Sequence, residues 1–349
     1  MAIDLSVVQG DYLRDLLSQP VALKDTLDHL SELKELKALA TRLHAGKFNP
    51  VVLTGMGSSF HGLNPLLLQL TDSGFPTVLV ETSELNYYRS RLLHEKSLLV
   101  VVSQSGRSAE VIRLLETNRR RAPIIAVTNT ADSPLAKRSD AAILTRAGQE
   151  FSVSCKTYVT ALMALKFLGD QLCRIPLPRT NKELKVALPA MAHYLAGWKE
   201  KLECMLPRVT GIRQLFLAGR GPSLATVGTG ALILKESTRF PAEGLSSAAF
   251  RHGPFEMVGP ETFILVFAGV AKTRELNKRL LDDIHKQGGR AEFVAQDSGT
   301  SPFCLPNVPV GVLPMLEILP VQMLTLALAA MVGREPGKFR FATKITTVE

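Results

Sequence analysis

The sequence predicts an α/β protein made of two copies of one unit, each a parallel sheet with helices on both faces. Two pairs of matching segments carry this prediction. The apolar segments 51–53 and 215–217 each lead into a glycine turn, and 98–102 and 263–267 each lead into a longer loop. Both pairs are separated by nearly the same offset, about 164 to 165 residues, which indicates the repeat of a whole structural unit.

The composition narrows the class of protein. The 349 residues are 46% hydrophobic, 21% charged and only 6% aromatic. A disordered chain could not bury that much apolar surface, and an all-β sandwich would hold more aromatic and β-branched residues. The 41 Lys and Arg exceed the 32 Asp and Glu by nine, but the excess is scattered. It therefore favours anionic small molecules over nucleic acid as partners, and the run Arg119-Arg120-Arg121 is typical of a solvated helix end.

The first copy alternates strand-like and helical segments. A helical arm is expected over 8–40, and the spacing of Val111, Leu114 and Leu115 predicts a helix over 110–120. Short, continuously apolar runs predict parallel strands buried on both faces. These runs lie at 51–53, 77–80, 98–102 and 124–127.

The copies are joined by helices and followed by a tail. Helices are expected over 156–172 and 182–205, with a break near Pro176 and Pro178. We therefore expect four parts in the chain. They are a helical arm at 1–45, a first, phosphate-binding domain at 46–175, a second domain with the linker helix at 176–333, and a tail at 334–349.

The sequence predicts a cytoplasmic protein without a membrane span, metal or cofactor. The apolar segment 313–333 is interrupted by Glu317, Pro320 and Gln322, which leaves roughly ten apolar residues and favours a buried helix. The four cysteines form no CxxC pair and the charged N-terminus resembles no signal peptide, so we expect reduced thiols. The seven histidines show no metal-ligand spacing.

Two loops at strand ends carry the candidate chemistry. Gly55-Met56-Gly57-Ser58-Ser59 follows the first strand, and Ser103-Gln104-Ser105-Gly106-Arg107-Ser108 follows the 98–102 strand. Unpaired N–H groups at a helix start, with serine hydroxyls, can hold a phosphate without lysine. Either loop alone is typical of an ordinary turn, but two in one copy indicate a phosphorylated ligand. The second copy has Ala268, Val270 and Ala271 in place of such residues, so one phosphate site is expected.

A series of short motifs runs in order through nearly the whole chain. They lie at 12–20, 57–59, 103–106, 147–155, 219–221, 234–236, 242–243, 251–254 and 344–346. With these motifs the chain resembles the double sugar-isomerase (SIS) domain family. That family includes the isomerase half of glutamine–fructose-6-phosphate aminotransferase (glucosamine-6-phosphate synthase) and stand-alone glucosamine-6-phosphate deaminases. The resemblance implies two SIS domains, each a three-layer αβα, flavodoxin-like fold.

Three residues match the family's catalytic positions. The resemblance implies that His252 assists sugar ring opening, a task that suits an imidazole because that group titrates near neutral pH. It implies that Glu236 moves a proton between C1 and C2 of the open-chain sugar. It also implies that Lys344 attacks the keto carbonyl to form a Schiff base. Without the motifs, each residue would be typical of a surface or structural position.

The resemblance further implies a sugar-phosphate site shared between two subunits. In the family the tail packs into the active site and the histidine comes from the neighbouring subunit, so a homodimer is implied. The partner is a small-molecule sugar phosphate, with no nucleic acid and no membrane. The implied substrate and phosphate contacts are Gly57, Ser58, Ser59, Ser103, Gln104, Ser105, Ser108, Val153 and Cys155.

The chain also departs from the synthases. Ile233 stands where they have a lysine one helical turn before Glu236, and Cys155 stands where they have a serine. We also expect the chain to lack the glutaminase domain of the synthases. The expected function is an isomerase of an amino sugar phosphate without glutaminase activity, acting as a glucosamine-6-phosphate deaminase. The alternatives are a fructosamine-type deglycase, which splits a sugar phosphate from an amino acid, and a non-catalytic sugar-phosphate sensor.

Overall fold

The computed structural model describes residues 5–119, 121–341 and 343–344, and the chain divides into two compact units. The first unit comprises Val21–Glu150 and Lys156–Lys185, with the chain end from Phe341. The second unit comprises the residues up to Pro20, together with Phe151–Cys155 and Val186–Arg340. Each unit contains one parallel sheet of five strands. The predicted fold class, α/β with two helix-flanked parallel sheets, is confirmed.

Strands and helices alternate through most of the chain. The strands are β1 (Val51–Gly55), β2 (Thr77–Glu81), β3 (Leu98–Val102), β4 (Ile124–Thr128), β5 (Ala141–Leu144), β6 (Gln214–Gly219), β7 (Ala242–Ser246), β8 (Thr262–Phe267), β9 (Arg290–Gln296) and β10 (Cys304–Leu305). The helices are α1 (Asp11–Leu17), α2 (Gln19–His29), α3 (Lys34–His44), α4 (Ser58–His61), α5 (Asn64–Asp72), α6 (Thr82–Tyr87), α7 (Ala109–Asn118), α8 (Pro134–Arg138), α9 (Lys156–Leu172), α10 (Leu177–Ala196), α11 (Trp198–Val209), α12 (Leu224–Thr238), α13 (Ser247–Arg251), α14 (Ala271–Lys286) and α15 (Leu313–Met331).

The first sheet has the strand order β2-β1-β3-β4-β5. Every residue of β1, β3 and β4 is buried, as expected for central parallel strands covered by helices. Val51 pairs with Thr77 of β2 on one side and with Leu98 of β3 on the other. Strands β2 and β3 therefore lie on opposite sides of β1, so the order in which the chain adds strands to the sheet reverses between β1 and β3. This reversal creates a crevice at their carboxyl ends, where open α/β sheets bind ligands.

The second sheet has the order β10-β9-β8-β6-β7, which repeats the arrangement of the first. Leu215 of β6 pairs with Ala242 of β7 and with Phe263 of β8. The chain therefore reverses between β6 and β8, and a second crevice lies at their carboxyl ends. The segments 215–217 and 263–267 are strands, as the repeat predicted.

The N-terminal arm differs from its prediction. The expected helical arm over 8–40 is three helices, α1, α2 and α3. Ser18 separates the first two, and the segment 30–33 separates the second from the third, with Leu33 in an extended conformation. Residues 1–4 of the arm lie outside the described part of the chain.

Two other helical predictions are also corrected. The linker helix expected over 182–205 is two helices, α10 and α11, separated at Gly197. The first of them, α10, begins at Leu177, earlier than predicted. Pro178 does not prevent this earlier start, because proline is tolerated in the first turn of a helix. The helix predicted over 110–120 ends at Asn118, since Arg119 takes a left-handed conformation with φ of 46°. Arg120 itself lies outside the described residues.

Helix α15 is the core of the second unit, as predicted for 313–333. Its residues from Leu313 to Ala330 are buried, and it packs against α11 and α12. By length and composition alone, Val310–Met331 could cross a membrane, which corrects the expected short apolar run. An 18-residue apolar stretch of this helix is, however, buried completely inside the protein, as in the core helix of a soluble protein.

The polar residues of α15 find partners near the start of the chain. Gln322 and Gln19 exchange amide hydrogen bonds of 2.9 Å, and Thr325 donates to the Tyr12 hydroxyl at 3.1 Å. Buried polar groups are stable only when they are hydrogen-bonded in this way. Helix α1 and the first residue of α2 are therefore tied to α15 within the second unit.

Candidate active site

The loop after β3 is held in shape by its own serines. Ser103 Oγ accepts the N–H of Gly106 at 3.1 Å, and Ser105 Oγ accepts the N–H of Arg107 at 3.2 Å. An accepting hydroxyl keeps its own hydrogen, so both serines can still donate to an anion. Ser108 precedes α7 without a side-chain capping bond, which leaves the first N–H groups of that helix available.

The loop after β1 lies beside it. A Cβ atom placed on Gly55 would be 3.1 Å from the carbonyl oxygen of Val102, the last residue of β3. Gly57 has a φ of 53°, a conformation that favours glycine, and α4 begins directly after it with the half-buried Ser58 and Ser59. The structure therefore brings the two predicted phosphate loops to one edge of the first sheet.

The loop after β4 supports this edge. The main-chain oxygen of Gln104 accepts the N–H of Asn129 at 3.0 Å and the hydroxyl of Thr128 at 3.2 Å. Arg107 pairs with Asp132 at 2.8 Å, and this guanidinium lowers the pKa of the Asp132 carboxyl below its usual value. The cation of the loop is thus already paired, which leaves hydroxyl and N–H groups as the donors for an anion.

Gly106 provides a direct test of this loop geometry. It has a φ of 60°, and a Cβ atom there would lie 2.4 Å from Oγ of the buried Ser133, which caps α8. We expect Gly106→Ala to lower the free energy of unfolding by about 1–3 kcal/mol because strain and a clash add. Gly74→Ala is the control, since Gly74 has a φ of 83° with no atom within 4 Å of such a Cβ. Denaturant unfolding measures both, and equal losses would contradict the clash.

The tail lysine meets the first part of the 147–155 motif, residues 147–150, within the first unit. Lys344 Nζ donates to Oε2 of Glu150, whose side chain is completely buried. The same carboxylate accepts the N–H of Thr157 at 3.0 Å and its hydroxyl at 2.5 Å. Asn129 holds the start of the motif, donating to the carbonyl of Gly148 at 2.8 Å. Sequence reasoning missed Glu150 as the partner of Lys344, although Glu150 is the one carboxylate of that motif. The other residues of the tail motif, Ile345 and Thr346, lie outside the described residues.

Val153 and Cys155 belong to the second unit. As whole residues they are 1% and 0% exposed. Beside them, the N–H of Phe151 donates to Asp15 at 3.0 Å, and Ser152 Oγ donates to the carbonyl of Gly337. The contact of a substrate with either residue stays a prediction.

Glu236 lies in the last turn of α12 and is half-buried. One turn earlier on the same helix, Ile233 is completely buried. The neighbouring Lys235 is exposed. The predicted proton-transfer residue is thus placed at a helix end with an apolar residue where the synthases have lysine.

His252 lies directly after α13 and is exposed. Its segment is anchored on both sides, because Phe250 is buried against Phe216 and Arg251 pairs with Asp283 at 2.7 Å. The guanidinium lowers the pKa of the Asp283 carboxyl. Within the described residues, the imidazole forms no hydrogen bond. The roles of both residues stay predictions.

A parallel sheet with two serine and glycine loops at its reversal point defines an α/β protein whose loops could hold an anionic ligand. Among the described residues, no His, Cys, Asp or Glu side chains form a group that could hold a metal ion. Residues 29–169 match the SIS domain family model.

The similar proteins fit this family. The chain is 29% identical over 351 residues to glutamine–fructose-6-phosphate aminotransferase [isomerizing] of Pyrococcus horikoshii, covering 97% of the chain and 57% of that protein. The chain thus spans little more than half the length of this curated relative. The C-terminal domain of the Francisella tularensis glucosamine-fructose-6-phosphate aminotransferase superposes with a TM-score of 0.82 at 21% identity, covering 97% of this chain and 98% of that one. Glucosamine-6-phosphate deaminase of Thermotoga maritima superposes at 0.78 with 20% identity, covering 97% and 100%.

Proposed function

We propose that the chain is an aldose–ketose isomerase of a phosphorylated amino sugar, working as a glucosamine-6-phosphate deaminase. The observation that carries the proposal is the ion pair between Lys344 and the buried Glu150, in the same unit as both serine loops. Binding of a phosphate by the serine loops alone would not need the amine of Lys344. The presence of that amine in the same unit therefore supports turnover of a phosphorylated sugar. The names of the similar proteins support the same chemistry.

The proposed reaction converts glucosamine 6-phosphate and water into fructose 6-phosphate and ammonia. His252 assists ring opening, which exposes an aldehyde at C1 beside the amine-bearing C2. Glu236 takes the proton from C2 and returns it to C1, which leaves an imine at C2. Lys344 displaces ammonia from that imine to form a Schiff base, and water then hydrolyses it to release the ketose and the free lysine.

Ile233 supports a reaction other than that of the synthases, and His252 supports a site shared between two copies of the chain. Ile233 supplies no cation near Glu236, so the charge environment of the proton-transfer carboxylate differs from theirs. The exposed ring of His252 supports a site completed by a second copy of the chain, as in a cytoplasmic homodimer. In such a dimer, each copy would provide its histidine to the other.

Ammonia release from glucosamine 6-phosphate by the purified chain tests the proposal. Ammonia and fructose 6-phosphate are expected in equal amounts. Hydrolysis of a fructosamine 6-phosphate–amino acid conjugate instead would identify a deglycase. No turnover of either compound, with glucosamine 6-phosphate still raising the melting temperature, would identify a sensor and overturn the proposal.

A further inference from the structure

The reversal point of the second sheet holds an unexplained cluster of polar groups. Its crevice is bordered by the turn after β6, which contains Arg220 and Ser223, and by the turn after β8, which contains Gly269. The loss of serines from the second turn argued against a phosphate site there. Polar side chains from segments that are distant in the sequence lie there in their place.

Three of these groups converge on one point. Gly269 has a φ of 64°, and a Cβ atom on it would lie 3.2 Å from Ser223 Oγ, 3.6 Å from the carbonyl oxygen of Arg220 and 3.8 Å from Asn277 Nδ2. Asn277 is completely buried and donates to the carbonyl of Ala268 at 3.2 Å. The absence of a side chain at Gly269 thus leaves room beside polar atoms from two segments, the turn after β6 and helix α14.

Several polar atoms around this point have no partner. Among the described residues, Arg220 Nε, Thr273 Oγ1, Asn277 Oδ1 and Glu317 Oε2 are buried without a hydrogen bond. Glu317 is bound to the cluster through Ser223, whose hydroxyl donates to Oε1 at 2.8 Å. Buried polar groups in folded proteins almost always have partners, so this concentration points to a missing ligand.

The charge and the donors favour an anion. Helix α14 is 16 residues long and begins after Val270, whose side chain cannot cap its free N–H groups. Arg220 adds a guanidinium that forms no ion pair within the described residues, and Thr273 adds a hydroxyl in the first turn. Burial raises the pKa of Glu317 to about 7, so much of this carboxyl is protonated at neutral pH and does not exclude an anion.

We propose that this crevice is a second ligand site, which binds the phosphate group of a small metabolite through Arg220, Thr273 and the start of α14. The site is separate from the serine loops of the first unit, and the proposal requires no turnover. The phosphate could come from a sugar phosphate, a nucleoside monophosphate or free phosphate, because all three present the same oxyanion to these donors.

Equilibrium dialysis of the full chain with radiolabelled inorganic phosphate tests the proposal. Arg220→Ala should remove one bound equivalent, or weaken it at least about ten-fold, because one charge-assisted hydrogen bond is lost. The matched control is Arg279→Ala, which removes an exposed arginine of α14 and should retain that equivalent. Thr273→Val, which keeps the shape of the side chain, should weaken the same equivalent.

The result does not depend on the proposed deaminase activity, because equilibrium dialysis counts bound phosphate and needs no turnover. Equal numbers of equivalents in the parent, Arg220→Ala and Arg279→Ala would overturn the second site. Competition by fructose 6-phosphate and by adenosine monophosphate, measured on the Arg220-dependent equivalent, then distinguishes the sources of the phosphate. An equivalent that neither compound displaces identifies free phosphate as its ligand.

Discussion

Replacing Glu236 with glutamine is expected to lower kcat for conversion of glucosamine 6-phosphate by about 10²- to 10⁴-fold, the usual contribution of a positioned acid–base group. The amide keeps the size of the side chain but cannot take the C2 proton. KM should change little, because the phosphate loops belong to the first unit and remain unaltered. A coupled assay of fructose 6-phosphate formation measures both constants.

Glu275→Gln is the matched control for this experiment. Glu275 is exposed on α14, and its substitution makes the same change of charge within the same unit. This variant should retain the parent kcat. If Glu236→Gln also retained it, the proton would be moved by another group, and the role implied by the 234–236 motif would be wrong.

Replacing Glu317 with glutamine should stabilise the protein at pH 8 and change its stability little at pH 4. Burial raises the pKa of Glu317 from 4.5 to about 7, with the hydrogen bond from Ser223 opposing the shift. Between these values the folded state binds more protons than the unfolded state, so the parent loses stability as the pH rises through this window. Above pH 7 the full penalty is present, about 3 kcal/mol for 2.5 pKa units. The glutamine variant lacks this penalty.

Urea unfolding at several pH values measures the difference between the two proteins. The gap in free energy of unfolding should open between pH 4.5 and 7 and remain constant above. Glu275→Gln serves again as control and should show no such gap. A Glu317→Gln protein that is less stable than the parent at pH 8 would mean that the carboxylate is stabilised in the fold, contrary to its burial.

The sheets and the first-unit loops were predictable from the sequence because they depend on local patterns. Continuous apolar runs identify buried parallel strands, and glycine with serine at strand ends identifies tight turns with free donors. The offset of about 165 residues then predicted the second sheet. These signals need no knowledge of which distant segments meet.

The remaining features depend on contacts between distant segments. Lys344 reaches Glu150 across 194 positions, and Ser223 reaches Glu317 across 94. No periodicity encodes such pairs. In the same way, Gln322 interrupts the apolar pattern of α15, and only the fold shows that Gln19 satisfies its amide. The break at Gly197 was missed because the apolar spacing continues on both sides of it.

The ties between the N-terminal helices and α15 also set an order of events during synthesis. Tyr12 and Gln19 bond to Thr325 and Gln322, which follow them by 313 and 303 residues. At roughly 5–20 residues per second, the ribosome needs about 15 to 60 s to make the intervening chain. Throughout that interval the buried face of α1 has no partner from α15. The second unit therefore completes its core only after α15 has been made, and until then the buried face of α1 remains exposed.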